Sequence, residues 1–276
     1  MNRKHCAISL CISGTGLVKE EFMKKFFFAV LFVLVMTVPA RAATHINIDN
    51  LNQDDFRSFS KDFGMAVSYI PLASAAALGD KLPGFDAGVE ASYVKVDTSK
   101  QYFQKMNNIF TASGAGNLPD AYYIPRVHVQ VGLPIIPIDF GVSYAEVSGI
   151  KLVGAEVKWA ILNGGLVTPS IAIRGAYTKL SGVDALDLST KSLDLSISKG
   201  ILIFTPYAGV GEVWITSDPH TTNSTVPLNN RPQKEDIMKS KGFVGTKIKV
   251  FPFINIVLEG DFSNISEYSA RLNVNF

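Results

Sequence analysis

Beyond residue 42 the sequence has no cysteine, because Cys6 and Cys11 both stand in the leader. With that leader cut away, the chain is expected to have no disulfide, no thiolate metal site, no cysteine nucleophile and no lipoprotein anchor. Histidine is scarce too. His45 and His220 have no second ligand at metal spacing, and there is no H-E-x-x-H and no G-x-S-x-G. The glycine strings "GVGEVW" (209–214) and "GAGN" (114–117) lack the Lys-Ser/Thr tail of a phosphate loop. Gly209 and Gly211 instead suggest strand curvature or the close packing of a plug. After residue 42 no run of 18 apolar residues occurs, so no membrane-spanning helix is expected.

The basic balance belongs to the leader. Met23-Lys24-Lys25 precedes the apolar run "FFFAVLFVLVMTV", and Ala40-Arg41-Ala42 supplies a small-x-small cleavage pattern. Residues 23–42 read as a signal peptide cut before Ala43, and residues 1–22 as an upstream leader from a start assigned too early. Removing residues 1–42 takes six Lys/Arg and two Asp/Glu from totals of 26 and 24, which leaves a net charge of about −2. Nothing in that balance points to nucleic acid.

What the mature chain does have is alternation. Ten segments of period two, bounded by Gly, Pro, Asn and Asp, cover residues 84–97, 122–132, 137–148, 150–162, 166–180, 186–199, 203–216, 241–251, 253–262 and 268–276. In the first, Phe85, Ala87, Val89, Ala91 and Tyr93 alternate with Asp86, Gly88, Glu90 and Ser92. Such strands fit a soluble sandwich or a membrane barrel. The connections favour the barrel: long or polar links ("TSKQYFQKMNNIFTASGAGNLPDA", "SDPHTTNSTVPLNNRPQKEDIMKS") alternate with tight ones ("LPIIP", "NGG", Pro252). That is the asymmetry of an outer-membrane barrel, with loops outside and turns in the periplasm.

The expected fold is therefore all-β: a closed antiparallel transmembrane β-barrel of about 10 strands over residues 84–276, with 12 as the alternative count if residues 98–121 hide further strands. An even count places both strand ends at the periplasmic side, and the N- and C-termini are expected there. Tyr122, Tyr123, Tyr144, Trp159, Tyr177, Tyr207, Trp214, Phe251, Phe253 and Phe262 lie near strand ends, as interfacial girdles require. The closing string "YSARLNVNF" sets Tyr268, Ala270, Leu272, Val274 and Phe276 in one register. It has the form of the C-terminal signal read by the barrel insertion machinery, on a strand that closes against the first.

Residues 43–83 read as a helix and plug. Asn52 is a candidate N-cap, Asp54 and Asp55 fall in the first turn, and Phe56, Phe59 and Phe63 share a face. One more strand-like run, 65–70, would break the even count and is assigned to a plug under the barrel.

The strings "FGMAVSYIPLASAAALGDKLPGFDAGVEASYV", "VGAEVKWAILNGGLVTPSIAIRGAYTKLSGVDALDLSTKSLDLSISKG", "TPYAGVGEVWI" and "YSARLNVNF" span nearly the whole mature chain. Through them the sequence resembles a family of proteobacterial outer-membrane β-barrel proteins of uncharacterised function. The resemblance implies fold and location, and it carries over no catalytic or binding residue.

The inward registers collect Asp86, Glu90, Arg126, His128, Asp139, Glu156, Lys158, Arg174, Asp194, Glu212, Lys247, Lys249, Glu259, Asp261 and Arg271. A narrow barrel must pair most of these charges, so a salt-bridged lumen is expected, ahead of a selective narrow channel. His128 invites comparison with outer-membrane proteases and acyl-modifying enzymes. It stands well inside its strand with no Ser or Asp pairing legible from spacing, so lumen hydrogen bonding is expected over catalysis. In the first long loop Phe103, Met106, Ile109 and Phe110 suggest an amphipathic lid. The functions these features fit are passive uptake of small solutes or envelope structure. The rivals are an enzyme acting on lipid or peptide near His128, and a binding protein that presents its long loops. The expected partners are outer-membrane lipid, the insertion machinery with periplasmic chaperones, and a small solute. A monomer without metal or cofactor is expected.

Overall fold

The computed structural model describes residues 48, 51–79, 82–114, 116–165, 167–220 and 231–276. The leader, the signal peptide with its cut at Ala40, Ala42 and Ala43, His45, and residues 221–230 of the second long loop lie outside them. Ten strands follow one another: β1 (Gly84–Lys95), β2 (Ala121–Gly132), β3 (Ile138–Val147), β4 (Ile150–Leu162), β5 (Ser170–Ser181), β6 (Leu186–Ser198), β7 (Phe204–Pro219), β8 (Glu235–Phe251), β9 (Ile254–Phe262) and β10 (Ser266–Asn275). Each pairs antiparallel with its sequence neighbours, and β10 pairs with β1 to close the barrel. Between β1 and β2 the described residues contribute a helix rather than strands, so ten is the count and not twelve. The strand ends agree with the sequence reading to within a few residues, except that β8 begins at Glu235 instead of Lys241.

Closure uses the last residue. The backbones of Phe85 and Phe276 exchange hydrogen bonds of 2.8 and 3.0 Å, and their rings lie 5.4 Å apart. In a ten-strand ring this pairing removes the two free edges that an open sheet would present. The tight link between β3 and β4 places Ser148 and Gly149 at φ +52° and +85°, the positive pair of a type I′ hairpin, which glycine adopts without strain.

Outward registers are apolar over most of each strand: Val153, Ala155, Val157, Trp159 and Ile161 on β4, and Leu193, Leu195 and Ile197 on β6. Toward the long-loop mouth the phase inverts. On β6, Leu186 and Leu188 are buried inside while Asp187, Ser189 and Lys191 face out. The same happens on β4, where Leu152 turns in beside outward Lys151, and on β5, where Leu180 turns in beside outward Lys179. The barrel thus carries an apolar belt with a polar lumen. Beyond the belt it becomes a collar that is polar outside and apolar inside, like a soluble protein.

The collar holds helix α1 (Gln53–Ala66). The Asn52 side chain accepts from the Asp55 N–H at 2.9 Å, and acidic residues fill the first turn, so the start of the helix is capped as the sequence suggested. Phe56 and Phe59 are buried in one cluster with Ile48, Leu51, Val67, Val94, Leu152, Leu180, Leu186, Val213, Ile215 and Ile237. Helix α2 (Gln101–Ala112) closes over it from the first long loop. Phe103 and Met106 join the cluster; Ile109 and Phe110 are half-buried outside it. Lys105 pairs with Asp55, Lys100 with Asp62 at 2.6 Å, and the Tyr102 hydroxyl donates to Asp62 at 2.6 Å.

This placement corrects the sequence reading. The plug was expected under the short turns, with the N-terminus beside Phe276. Instead α1 sits at the long-loop mouth, because the apolar collar there is the dry surface its phenylalanines require. Residues 67–79 then descend through the lumen to the short-turn mouth, where β1 starts. The chain at Ile48 and at Phe276 therefore lies at opposite mouths.

Two outcomes follow. Phe56→Ala should cost about 3–5 kcal/mol of hydrogen-exchange protection in α1, while the barrel keeps its mobility shift on boiling. Burial, and then Asp62, push the Tyr102 hydroxyl well above its ordinary pKa of 10.0. Only the opened mouth can release that proton near pH 10, so protection of α1 should hold up to about that pH and fall above it. Tyr102→Phe should abolish the decline.

Candidate functional site

Where residues 67–79 cross the lumen, the wall supplies partners to their backbone. The Leu72 N–H donates to Glu259 Oε2 at 3.0 Å, the Ala75 N–H to Ser198 Oγ at 3.1 Å, and the Leu78 N–H to both oxygens of Asp139 at 3.1 Å. In the other direction, Lys158 Nζ donates to the carbonyls of Ser74 (3.2 Å) and Ala76 (2.9 Å), and Lys241 Nζ to that of Tyr69 (3.1 Å). A peptide without secondary structure has no internal partners, so every buried amide must be satisfied by its container. Ala73, Ser74, Ala75, Ala76 and Ala77 keep this stretch thin enough to pass. Leu72, held at φ +41°, turns the segment and fills a second apolar cluster with Ile70, Tyr207, Phe243 and Val257.

Around the segment the wall charges interlock. Arg271 reaches Asp86 at 2.8 Å and Glu90 at 3.3 Å; Arg126 lies 3.8 Å from Glu90; Arg174 Nε is 2.9 Å from Glu156; Lys158 pairs with Asp139 at 2.9 Å; Lys241 lies 3.5 Å from Asp194. His128 is the joint between wall and plug. Its Nδ1 lies 2.9 Å from Glu90 and beside Arg271, and its Nε2 is 2.7 Å from the Tyr69 hydroxyl. With the proton on Nδ1 the ring donates to Glu90 and accepts from Tyr69 at Nε2; with it on Nε2 the ring donates to Tyr69 and accepts from Arg271 at Nδ1. Both ring nitrogens are then engaged and the ring is buried, as expected for lumen hydrogen bonding.

Among the residues read as lumen-lining, Asp86, Glu90, Arg126, His128, Asp139, Glu156, Lys158, Arg174, Asp194, Glu259, Asp261 and Arg271 are inward and buried. Lys247 is inward and half-buried, and Lys249 is exposed at the short-turn end. Glu212 does not line the lumen. It faces outward at the edge of the belt, where Ser240 Oγ donates to it at 2.7 Å. Tyr207, read as part of an outer girdle, turns inward and donates to Glu259 at 2.6 Å. Gln130 faces inward beside His128, as its register implies, while Lys241, Glu267 and Tyr69 have no part in the sequence reading of the lumen. Lys241 and Glu267 share the register of recognised neighbours, while Tyr69 lies in a run without a partner strand. Gly154 makes room for the plug, since a Cβ there would come within 2.9 Å of the Tyr69 ring. Gly209 and Gly211 make room for wall residues instead, Phe243 and Asp194.

A cavity of about 10 Å³ remains between Met65, Ser68 and Ile70 of the plug and Lys241, Asp261, Ile265 and Glu267, about the space one water needs. A depression of about 690 Å³ lies on the outer face over β8, β9, β10 and β1, among Ala91, Thr246, Leu258, Gly260 and Ala270.

No family model matches this chain, and no curated protein does. Among solved structures, the translocator domain of the autotransporter NalP from Neisseria meningitidis is similar at 7% identity and a TM-score of 0.41, covering 81% of this chain and 96% of that one. The outer membrane protease OmpT from Escherichia coli is similar at 9% and 0.34, covering 70% and 96%. The Acinetobacter baumannii outer membrane protein Omp33 is similar at 6% and 0.32, covering 70% and 97%. At such scores these likenesses lend no weight to any reading of activity.

Removing Arg271 would strand Asp86 and Glu90 inside the wall. Arg271→Met should therefore destabilise the barrel by about 3–5 kcal/mol in urea unfolding from micelles. Glu212→Gln, on the outer face, should stay within about 0.5 kcal/mol of the parent.

Proposed function

We propose that this chain is an outer-membrane β-barrel held shut by its own N-terminal segment, a narrow conduit for small polar solutes that conducts when the segment leaves the lumen. The membrane reading is supported by the apolar belt, the outward aromatic residues at its edges and the asymmetry of the loops. In that reading Phe276 lies at the periplasmic mouth, and α1 with its α2 lid lies at the outer one. The periplasmic insertion machinery would read Tyr268, Ala270, Leu272, Val274 and Phe276.

One observation carries the conduit reading. Besides their partners in the wall, Glu259, Asp139, Lys158 and Lys241 bond to the backbone of an extended peptide that belongs to no strand of the ring. With the peptide gone, those groups would face water in a charged passage. A ten-strand lumen is otherwise narrow enough for side chains to fill.

Planar bilayers test this directly. The full mature barrel should be nearly silent, and a variant lacking residues 51–79 should show steady small conductance while retaining its mobility shift on boiling. Lys158→Met with Glu259→Gln should raise the frequency of brief openings. A correctly folded deletion variant that stays silent would leave the barrel as an envelope structure.

A further inference from the structure

Every outward-facing charge on the ten strands lies in the half nearer the long-loop mouth: Lys95, Glu146, Lys151, Lys179, Asp187, Lys191, Glu212, Asp218 and Asp236. Three of the four lysines stand on consecutive strands, and each is the first polar outward residue beyond the apolar belt of its strand. Lys151 follows Val153 on β4, Lys179 follows Tyr177 on β5, and Lys191 follows Leu193 on β6. The registers make them diagonal neighbours. Val153 faces Lys179 and Tyr177 faces Lys191, so each lysine is displaced by two residues from the next. Diagonal positions lie about 7–8 Å apart, a gap that one phosphate can bridge between two ammonium groups.

Four of the five outward acids have a donor within hydrogen-bond distance, and one of them, Glu146, also stands opposite Lys151 across β3 and β4. Glu146 accepts from the Tyr144 hydroxyl at 2.5 Å, Asp187 lies 2.9 Å from His220 Nε2, Glu212 accepts from Ser240, and Asp236 accepts from Thr216 at 2.8 Å. Lys151, Lys179 and Lys191 form no ion pair with a described residue. Lys191 also stands between two exposed aromatic rings in the same register, Tyr177 on β5 and Trp214 on β7. Ammonium groups beside flat rings at the edge of a lipid belt suit a ligand with phosphates on a sugar, because the sugar face stacks while the phosphates pair.

The geometry points to Lys151, Lys179 and Lys191, with Tyr177 and Trp214, as a binding site for the phosphorylated sugar headgroup of a leaflet lipid at the long-loop edge of the belt. The site rests on the membrane placement proposed above and not on conduction. A headgroup with two phosphates spans two of the gaps, so it binds more tightly than a lipid with one.

The test uses the full mature barrel in phosphatidylcholine vesicles doped with a bisphosphorylated disaccharide lipid, or with phosphatidylglycerol at equal charge. Retained lipid is measured by native mass spectrometry, and insertion by flotation and the mobility shift. The expected result is selective retention of the bisphosphorylated lipid, weakened about a hundredfold in the triple variant Lys151→Gln, Lys179→Gln, Lys191→Gln, and unchanged by Lys95→Gln. Trp214→Leu should weaken the sugar lipid but not phosphatidylglycerol. Equal retention by the triple variant and the parent overturns the site, as does equal preference for the two lipids. Failure of the parent to float with vesicles would refute the membrane placement itself.

Discussion

The lumen is a place where ions have been taken out of water, and the rest of the molecule follows from how they are answered. An unpaired guanidinium or carboxylate at such depth costs several kcal/mol, and here pairs within the wall and bonds to the crossing peptide answer them together. Glu259, Asp139, Lys158 and Lys241 have partners among the amides and carbonyls of residues 67–79. The peptide in turn has little internal hydrogen bonding and relies on the wall. The segment therefore crosses the barrel, where the wall satisfies its amides and carbonyls, instead of lying beneath it.

A second solvent boundary runs around the barrel. Below it the outer face is apolar and the inner face polar; above it the two exchange roles. The same strands thus present an apolar face outward at one end and form half of an apolar core at the other. Helix α1 is where that core finds its second layer, in the way any one-sided sheet must bury its apolar face against another element.

Much of this was legible in the residues. Alternation marks ten strands, and the loop lengths separate a long-loop mouth from a short-turn one. The inversion on β6 is written in "LDLSTKSLDLSIS", where Leu186 and Leu188 share one parity and Leu193, Leu195 and Ile197 the other. Strand β7 was harder, because both of its registers are rich in apolar residues. With Tyr207, Val213 and Ile215 in one parity and Ala208, Val210 and Trp214 in the other, a one-residue slip costs little on paper and turns every side chain over. Glu212 and Tyr207 were misplaced for that reason. The path of residues 67–79 had no periodic signal at all, since an extended peptide surrounded on every side has no face to mark.

The threading of the segment bears on how the barrel is made. Helix α1 is about 10–12 Å across with its side chains, and it sits in the collar at the far end from the residue where β1 begins. Passing it through a ring already closed by Phe85 and Phe276 would mean breaking the interlocked wall charges in turn. Wrapping the hairpins around a segment already in place breaks none of them. On that order the N-terminal peptide is in place before the last strand bonds back to the first, and a segment that leaves later has only its own bonds to the wall to break, one after another.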